Sequence, residues 1–309
     1  MTMQNPREVY GRTLVQLGRE NPDIVVLDAD LSKSTMTCYF EEAFPERFFE
    51  MGIAEANMTS FAAGLSLTGK IPFTNSFAVF AAGRAYDQIR QGICIPALNV
   101  KIVGSSAGLS DCGDGATHQS VEDLAIMRAI PNMTVLVPAD GSETRKMTRA
   151  AAQHRGPVYI RINREDLPDV VPEDREFVIG EPYAVRDGSD CAVFACGLMV
   201  SRALEAAEEL AGRGISARVV NVSTLKPVDE AALIALAEGT KAIVAAEEHS
   251  VIGGLGSLIS EAFRGRKVPI ARIGIQDQYG QSSRDYDELL KKYGLTSERI
   301  AAAVNGLLR

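Results

Sequence analysis

The sequence predicts an α/β protein of two doubly wound domains, each built on a mostly parallel sheet. Three observations carry this. Short apolar runs of strand length alternate with amphipathic helical segments along the whole chain. The runs Asp23–Asp28 (DIVVLD) and Met133–Pro138 (MTVLVP) are continuously apolar in their interiors, as strands covered on both faces should be. The alternation breaks once, in a charge-rich stretch over residues 164–189 that holds three prolines, and then restarts.

In chain order, Tyr10, Leu14 and Leu17 stand at i, i+4 and i+7 and predict a helix over residues 6–20, ended by Asn21-Pro22. The strand DIVVLD follows, and further strands are predicted at Lys101–Gly104, Met133–Val137 and Val158–Ile162. Helices fall near 54–67, 79–91, 119–129 and 141–154. The break divides the chain into a domain over 1–168, a linker over 169–189 with room for one short strand, and a domain over 190–309. In the second domain CAVFACG, ISARVVNVS, KAIVAAEE and VPIARIGI read as strands. Ala203, Ala207 and Leu210 mark a helix that Gly214 closes. Thr296 is placed to cap the last helix, with Glu298 in its first turn.

Composition sets limits. The 309 residues carry a net charge of −8, which argues against a nucleic-acid partner. No run approaches the roughly 18 apolar residues of a membrane span, and MTMQNPREVYGR lacks an apolar signal core. Five cysteines without metal-ligand spacing predict reduced thiols in a cytoplasmic protein. Met1 followed at once by a domain-start helix is expected of a natural gene start.

Chemistry concentrates in a few segments. His118, one of three histidines, sits in Gly113-Asp-Gly-Ala-Thr-His118-Gln, a turn between a strand and a helix. Loops at the carboxyl ends of strands are where open α/β sheets bind ligands, so His118 is a candidate for acid–base work or hydroxyl recognition. A loop-packing histidine is the plainer alternative. Gly113-Asp114-Gly115 opens like a thiamine diphosphate fingerprint, but the asparagine pair that should follow is absent: Asn132 stands alone and Asn163 is too distant. No Walker loop or His-Glu-x-x-His occurs, and Gly253-Gly-Leu-Gly256 lacks dinucleotide-loop spacing. Glu55, taken alone, is an ordinary exposed glutamate at a helix start.

Several runs together resemble the transketolase family. Met51-Gly-Ile-Ala-Glu55-Ala-Asn-Met58 is similar to the family's segment around its thiamine-activating glutamate. Asp114-Gly-Ala-Thr-His-Gln, Arg128-Ala-Ile-Pro-Asn-Met and Val137-Pro-Ala-Asp-Gly follow in the family's order. Thr74-Asn-Ser-Phe77-Ala-Val-Phe80 resembles the pyrimidine pocket, Asn163-Arg164-Glu-Asp-Leu-Pro the substrate arginine, and Glu247-Glu-His-Ser-Val-Ile-Gly-Gly-Leu-Gly-Ser257 a turn of the C-terminal domain.

The resemblance implies a pyrimidine-binding fold followed by a transketolase C-terminal domain. It makes Glu55 the carboxyl that hydrogen-bonds the pyrimidine ring of thiamine diphosphate, held in an apolar pocket that retains its proton. It makes Phe77 and Phe80 the aromatic wall, with Phe73 a candidate to replace an aromatic missing at Thr74. Arg7, Ser34 and Arg164 correspond to the sugar-phosphate end, and Asp114 and His118 to residues that bond substrate hydroxyls. Ser106 stands where the family usually has a substrate-binding histidine, so the distal anion or donor sugar is expected to differ from the standard pentose phosphates.

The N-terminal domain that binds diphosphate and Mg²⁺ in this family has no counterpart here. The resemblance therefore implies a C-terminal subunit that holds no metal itself. It is expected to share thiamine diphosphate with an N-terminal partner that carries the Mg²⁺, as an α₂β₂ assembly active on phosphosugars. Rival readings are a deoxyxylulose-phosphate synthase-like chain, a 2-oxo acid dehydrogenase β subunit, and a non-catalytic assembly subunit.

Overall fold

A computed structural model describes residues 2–309, so Met1 lies outside the described residues. Strands in chain order are Met3–Gln4 (β1), Ile24–Asp28 (β2), Phe48–Glu50 (β3), Ile71–Phe77 (β4), Lys101–Ser105 (β5), Thr134–Leu136 (β6) and Val158–Arg161 (β7). They continue as Leu167–Pro168 (β8), Tyr183–Arg186 (β9), Cys191–Ala195 (β10), Ala217–Asn221 (β11), Thr224–Lys226 (β12), Ala242–Ser250 (β13) and Ile270–Ile275 (β14).

Two sheets dominate. The first has the order β12-β6-β7-β5-β4-β2-β3 and the second β14-β13-β10-β11-β9. Within each, all pairings are parallel except one edge strand: β12 runs antiparallel to β6, and β9 antiparallel to β11. This is the α/β class that the alternation predicts. Strand β12 lies beyond the second domain's first helix in sequence yet extends the first sheet. Strands β1 and β8 pair as a small ribbon.

The first helix is Pro6–Glu20, with Tyr10, Leu14 and Leu17 buried as their spacing requires. Asn5 caps it by accepting from the Arg7 and Glu8 amides, and Pro6 occupies the position where its missing N–H costs nothing. Other expectations needed correction. The helix read over 79–91 is a short helix at Ala78–Gly83, a turn at Tyr86–Gln88 and a π-helical turn at Ile89–Cys94. The helix read over 119–129 begins only at Asp123, because Ser120 is held in a bridge to Gly108. The helix Met199–Ala211 is closed by Gly214 as its sequence predicts: Gly214 is left-handed (φ +79°), its amide donates to the Ala211 carbonyl and the Ile215 amide donates to the Leu210 carbonyl, both at 3.0 Å. Thr296 does cap Ser297–Leu307, accepting from the Arg299 amide.

Strand β4 was invisible as a strand. Its sequence IPFTNSF places Asn75 and Ser76 mid-strand, where polar residues read as loop. Both are buried and bonded: Asn75 accepts from the Tyr10 hydroxyl and donates to the Leu27 carbonyl. Phe73 packs with Tyr10, Phe40 and Val103 in the core beneath the first helix. It therefore does not rebuild the aromatic wall in place of Thr74.

All five cysteines are free thiols; Cys94, Cys191 and Cys196 are buried, while Cys38 and Cys112 are half-buried. Among the described residues no helix is long and apolar enough to cross a membrane.

Candidate active site

The carboxyl edge of the first sheet gathers nearly every residue singled out from the sequence. Ser34 follows β2, Glu55 follows β3, Phe77 ends β4, Ser106 and His118 follow β5, and Arg164 follows β7. The first helix contributes Arg7 from its first turn. Parallel strands aim their carboxyl ends to one side, so residues distant in sequence converge there.

Glu55 opens the helix Glu55–Leu67 yet is only 3% exposed, unlike the ordinary helix-start glutamate that its position suggests. Its Oε1 accepts from Arg84 Nη1 at 3.1 Å and lies 3.5 Å from Ser76 Oγ. The expected apolar surround is thus corrected: the carboxylate is buried, but against a guanidinium whose own side chain is 51% exposed. Among the described residues both hydrogen bonds to this carboxylate fall on Oε1, which leaves Oε2 for an incoming group.

Phe77 and Phe80 stack with centroids 6.0 Å apart and planes inclined by 19°. His118 meets both rings edge-on, at 6.2 Å from Phe77 and 5.2 Å from Phe80. The Arg84 guanidinium covers Phe80 at 4.0 Å, and that of Arg164 lies 5.8 Å from the Phe77 centroid. A run of neighbouring side chains therefore links Glu55 through Arg84, Phe80, His118 and Phe77 to Arg164, with Glu55 and Phe77 almost fully buried. His118 Nδ1 pairs with Thr117 Oγ1 at 2.9 Å, so the other ring nitrogen is the one free of this contact.

At the far end Arg7 adjoins Arg164. Arg7 Nε donates to the Arg164 carbonyl at 3.0 Å and Nη1 to the Ser34 carbonyl at 2.9 Å. Partial burial, and then the neighbouring charge of Arg164, lower the Arg7 pKa. Arg164 Nη1 lies 3.4 Å from Ser106 Oγ and 3.6 Å from Asp111 Oδ2. Ser106 is fully buried at φ +52°, a left-handed conformation uncommon for a residue with a side chain. Asp111 is buried too. Burial raises its pKa, with Arg164 acting in the opposite direction. Asp114 is exposed, and its charge acts on Asp111.

Arg84 and Asp111 were missed by sequence reasoning. Arg84 stands four residues after Phe80, so a cation–aromatic pair one helical turn apart was a usable signal. Asp111 had none, because its role comes from the fold of the Ser106–Asp111 loop.

A buried carboxylate beside near-parallel aromatic rings suits a planar nitrogen heterocycle that needs an acid partner. The residues therefore fit the pyrimidine end of thiamine diphosphate, with Glu55 and Phe80 to hold it.

The profile of the transketolase pyrimidine-binding domain matches residues 3–170, and that of the transketolase C-terminal domain matches residues 180–300. A protein of Methanocaldococcus jannaschii, named provisionally as a transketolase C-terminal section, is 47% identical over 96% of this chain and 94% of its own length. The 6-deoxy-6-sulfo-D-fructose transketolase subunit of Clostridium sp. is 43% identical over 97% of this chain and 93% of its own. A solved split-gene transketolase, in an inactive β4 tetramer, superposes with a TM-score of 0.91 at 51% identity and 98% coverage of both chains. With both of its halves matched in order, the chain belongs to the transketolase family, as its C-terminal section.

Proposed function

We propose that this chain is the C-terminal subunit of a thiamine-diphosphate-dependent transketolase, moving a two-carbon ketol unit from an acidic ketose to an aldose. The observation that carries the reading is the run of neighbouring side chains from the buried carboxylate of Glu55, through Arg84, Phe80, His118 and Phe77, to Arg164, whose backbone Arg7 bonds. It joins a heterocycle site to an anion site with a titratable ring between them.

When bound, the cofactor supplies the nucleophilic carbon that carries the ketol unit. This chain's part is to position and to move protons. Glu55 hydrogen-bonds the cofactor's ring nitrogen. Phe77 and Phe80 wall off that ring from water. His118, at the edge of both rings, donates to or accepts from a substrate hydroxyl. Arg7 and Arg164 capture the distal anion, with Ser106 and Ser34 beside them, and so fix the reacting end by the other end of the molecule.

The diphosphate and its Mg²⁺ are assigned to a partner subunit, with which this chain forms the complete site in an α₂β₂ assembly. Support comes from the inactive state of the similar β4 tetramer and from the relative that is a transketolase subunit for a sulfonated ketose. The distal anion is a phosphate or a sulfonate, since a guanidinium pair grips either. The neutral Ser106 in place of a histidine supports a donor outside the standard pentose-phosphate pair.

The test is co-expression with an N-terminal section that carries the diphosphate site, followed by assay with thiamine diphosphate, Mg²⁺ and a panel of ketose phosphates and sulfonates. Ketol transfer by the complex and none by either chain alone is the expected result. Absence of transfer with every donor would overturn the assignment, and a best pair of xylulose 5-phosphate and ribose 5-phosphate would overturn the specificity.

A further inference from the structure

Glu248 belongs to β13 of the second sheet, yet its side chain ends among the loops at the carboxyl edge of the first. It is buried, and two N–H donors converge on it. Oε1 accepts from the Leu109 amide at 2.7 Å, and Oε2 accepts from Asn163 Nδ2 at 3.1 Å. Its backbone carbonyl accepts from Arg161 Nη2 at 2.9 Å. The other amide proton of Asn163 goes to the Tyr286 hydroxyl at 2.8 Å, and Asn163 Oδ1 accepts from the Glu165 amide at 2.8 Å.

The two loops joined in this way are those of the anion site. Leu109 lies between Ser106 and Asp111, and Asn163 immediately precedes Arg164. They also touch directly: the Ala107 amide donates to the Ile162 carbonyl at 3.1 Å, and the Arg164 amide donates to Ser110 Oγ at 3.1 Å. The approach is close enough that a Cβ at Gly108 would stand 2.4 Å from Glu248 Oε1. A carboxylate is required at this point, since both of its oxygens face donors and an amide would set N–H against N–H.

We propose that Glu248 is a positioning residue: the C-terminal domain uses it to fix the distance between the Ser106–Asp111 loop and Arg164, and so sets the affinity for the substrate's distal anion. The inference rests on the reading above that Arg164 takes that anion. It gives the C-terminal domain a part in substrate recognition without any contact to substrate.

Glu248→Gln tests it, together with the compensating pair Glu248→Gln, Asn163→Asp, which restores a donor opposite an acceptor. In the full chain, the single exchange should speed hydrogen exchange at the Arg164 and Glu165 amides about tenfold, the scale of one buried hydrogen bond. The paired exchange should restore their protection. In the assembled enzyme the single exchange should raise KM for a phosphorylated aldose about tenfold, with KM for glycolaldehyde, which has no anionic tail, unchanged. Unaltered exchange at Arg164 overturns the proposal, as does an equal rise in both KM values or a failure of the pair to restore them. An assembled enzyme without ketol transfer overturns the functional reading instead, and the exchange data still decide the role of Glu248.

Discussion

The Glu55 carboxylate and the Arg84 guanidinium meet at 3.1 Å, one almost fully buried and the other half in solvent. The same guanidinium lies over the Phe80 ring, 4.0 Å from its centroid. One exposed guanidinium thus holds the buried carboxylate and covers an aromatic ring at once. Both contacts belong to a side chain long and exposed enough to move.

Arg84→Met should destabilise the chain by about 1 kcal/mol, because a half-exposed partner is screened by water even though the carboxylate is not. Glu55→Gln combined with Arg84→Met should cost less than the two single effects summed, since the neutral amide no longer needs the cation. Urea unfolding of the unaltered chain, the two single variants and the double variant measures the coupling. Strict additivity would show that the pair does not interact.

Glu55→Ala should lower turnover of the assembled enzyme by at least about 10²-fold, the lower end for a lost acid–base group. The comparison requires equal amounts of assembled complex, which sedimentation can verify. Turnover unchanged at equal assembly removes Glu55 from the chemistry.

Arg164→Ala should act on binding. Loss of a charge-assisted contact worth about 1.5–3 kcal/mol predicts a KM for the anionic substrate raised roughly 10- to 100-fold, with kcat much less altered. Steady-state kinetics at saturating cofactor separate the two constants. A fall confined to kcat would move Arg164 from substrate binding to the reacting centre.

Stability should depend on pH through Asp28. Burial pushes its carboxyl up to about 7, against hydrogen bonds from Thr35 Oγ1 at 2.7 Å, the Leu31 amide at 2.7 Å and Thr37 Oγ1 at 2.9 Å. A carboxyl raised above its unfolded pKa of about 3.9 binds more protons when folded. Its contribution is therefore full below that value and is lost as pH rises through about 7. Denaturant midpoints measured from pH 4 to 7 should fall less steeply for Asp28→Asn than for the unaltered chain. Parallel slopes would show that Asp28 does not titrate there.

Much of the site was legible because it consists of residue types at fixed places in ordered runs. Glu55 within Met51–Met58, Phe77 and Phe80 within Thr74–Phe80, and Arg164 after Asn163 are such cases, and the structure links them through neighbouring side chains. Less legible were groups whose meaning is a neighbour. Arg84 reads as one more surface arginine until it is set against Glu55 and Phe80. Asp111 reads as loop until the fold brings it 3.6 Å from Arg164. Strand β4 escaped because its buried Asn75 and Ser76 take hydrogen-bond partners from Tyr10, Leu27 and Glu55, all remote in sequence.

By itself the sequence determined the α/β class, the parallel sheets and the family, because apolar periodicity and local motifs are properties of neighbours along the chain. Only the tertiary structure decided that Glu55 is buried against a cation, and that Phe73 belongs to the core and not to the aromatic wall. It alone decided that strand β12 from the second half completes the first sheet, and that Glu248 reaches across to the loops around Arg164. The physical reason is common to all four. Burial, ion pairing and hydrogen bonding depend on distances in space, and those are set when separate strands come to lie side by side.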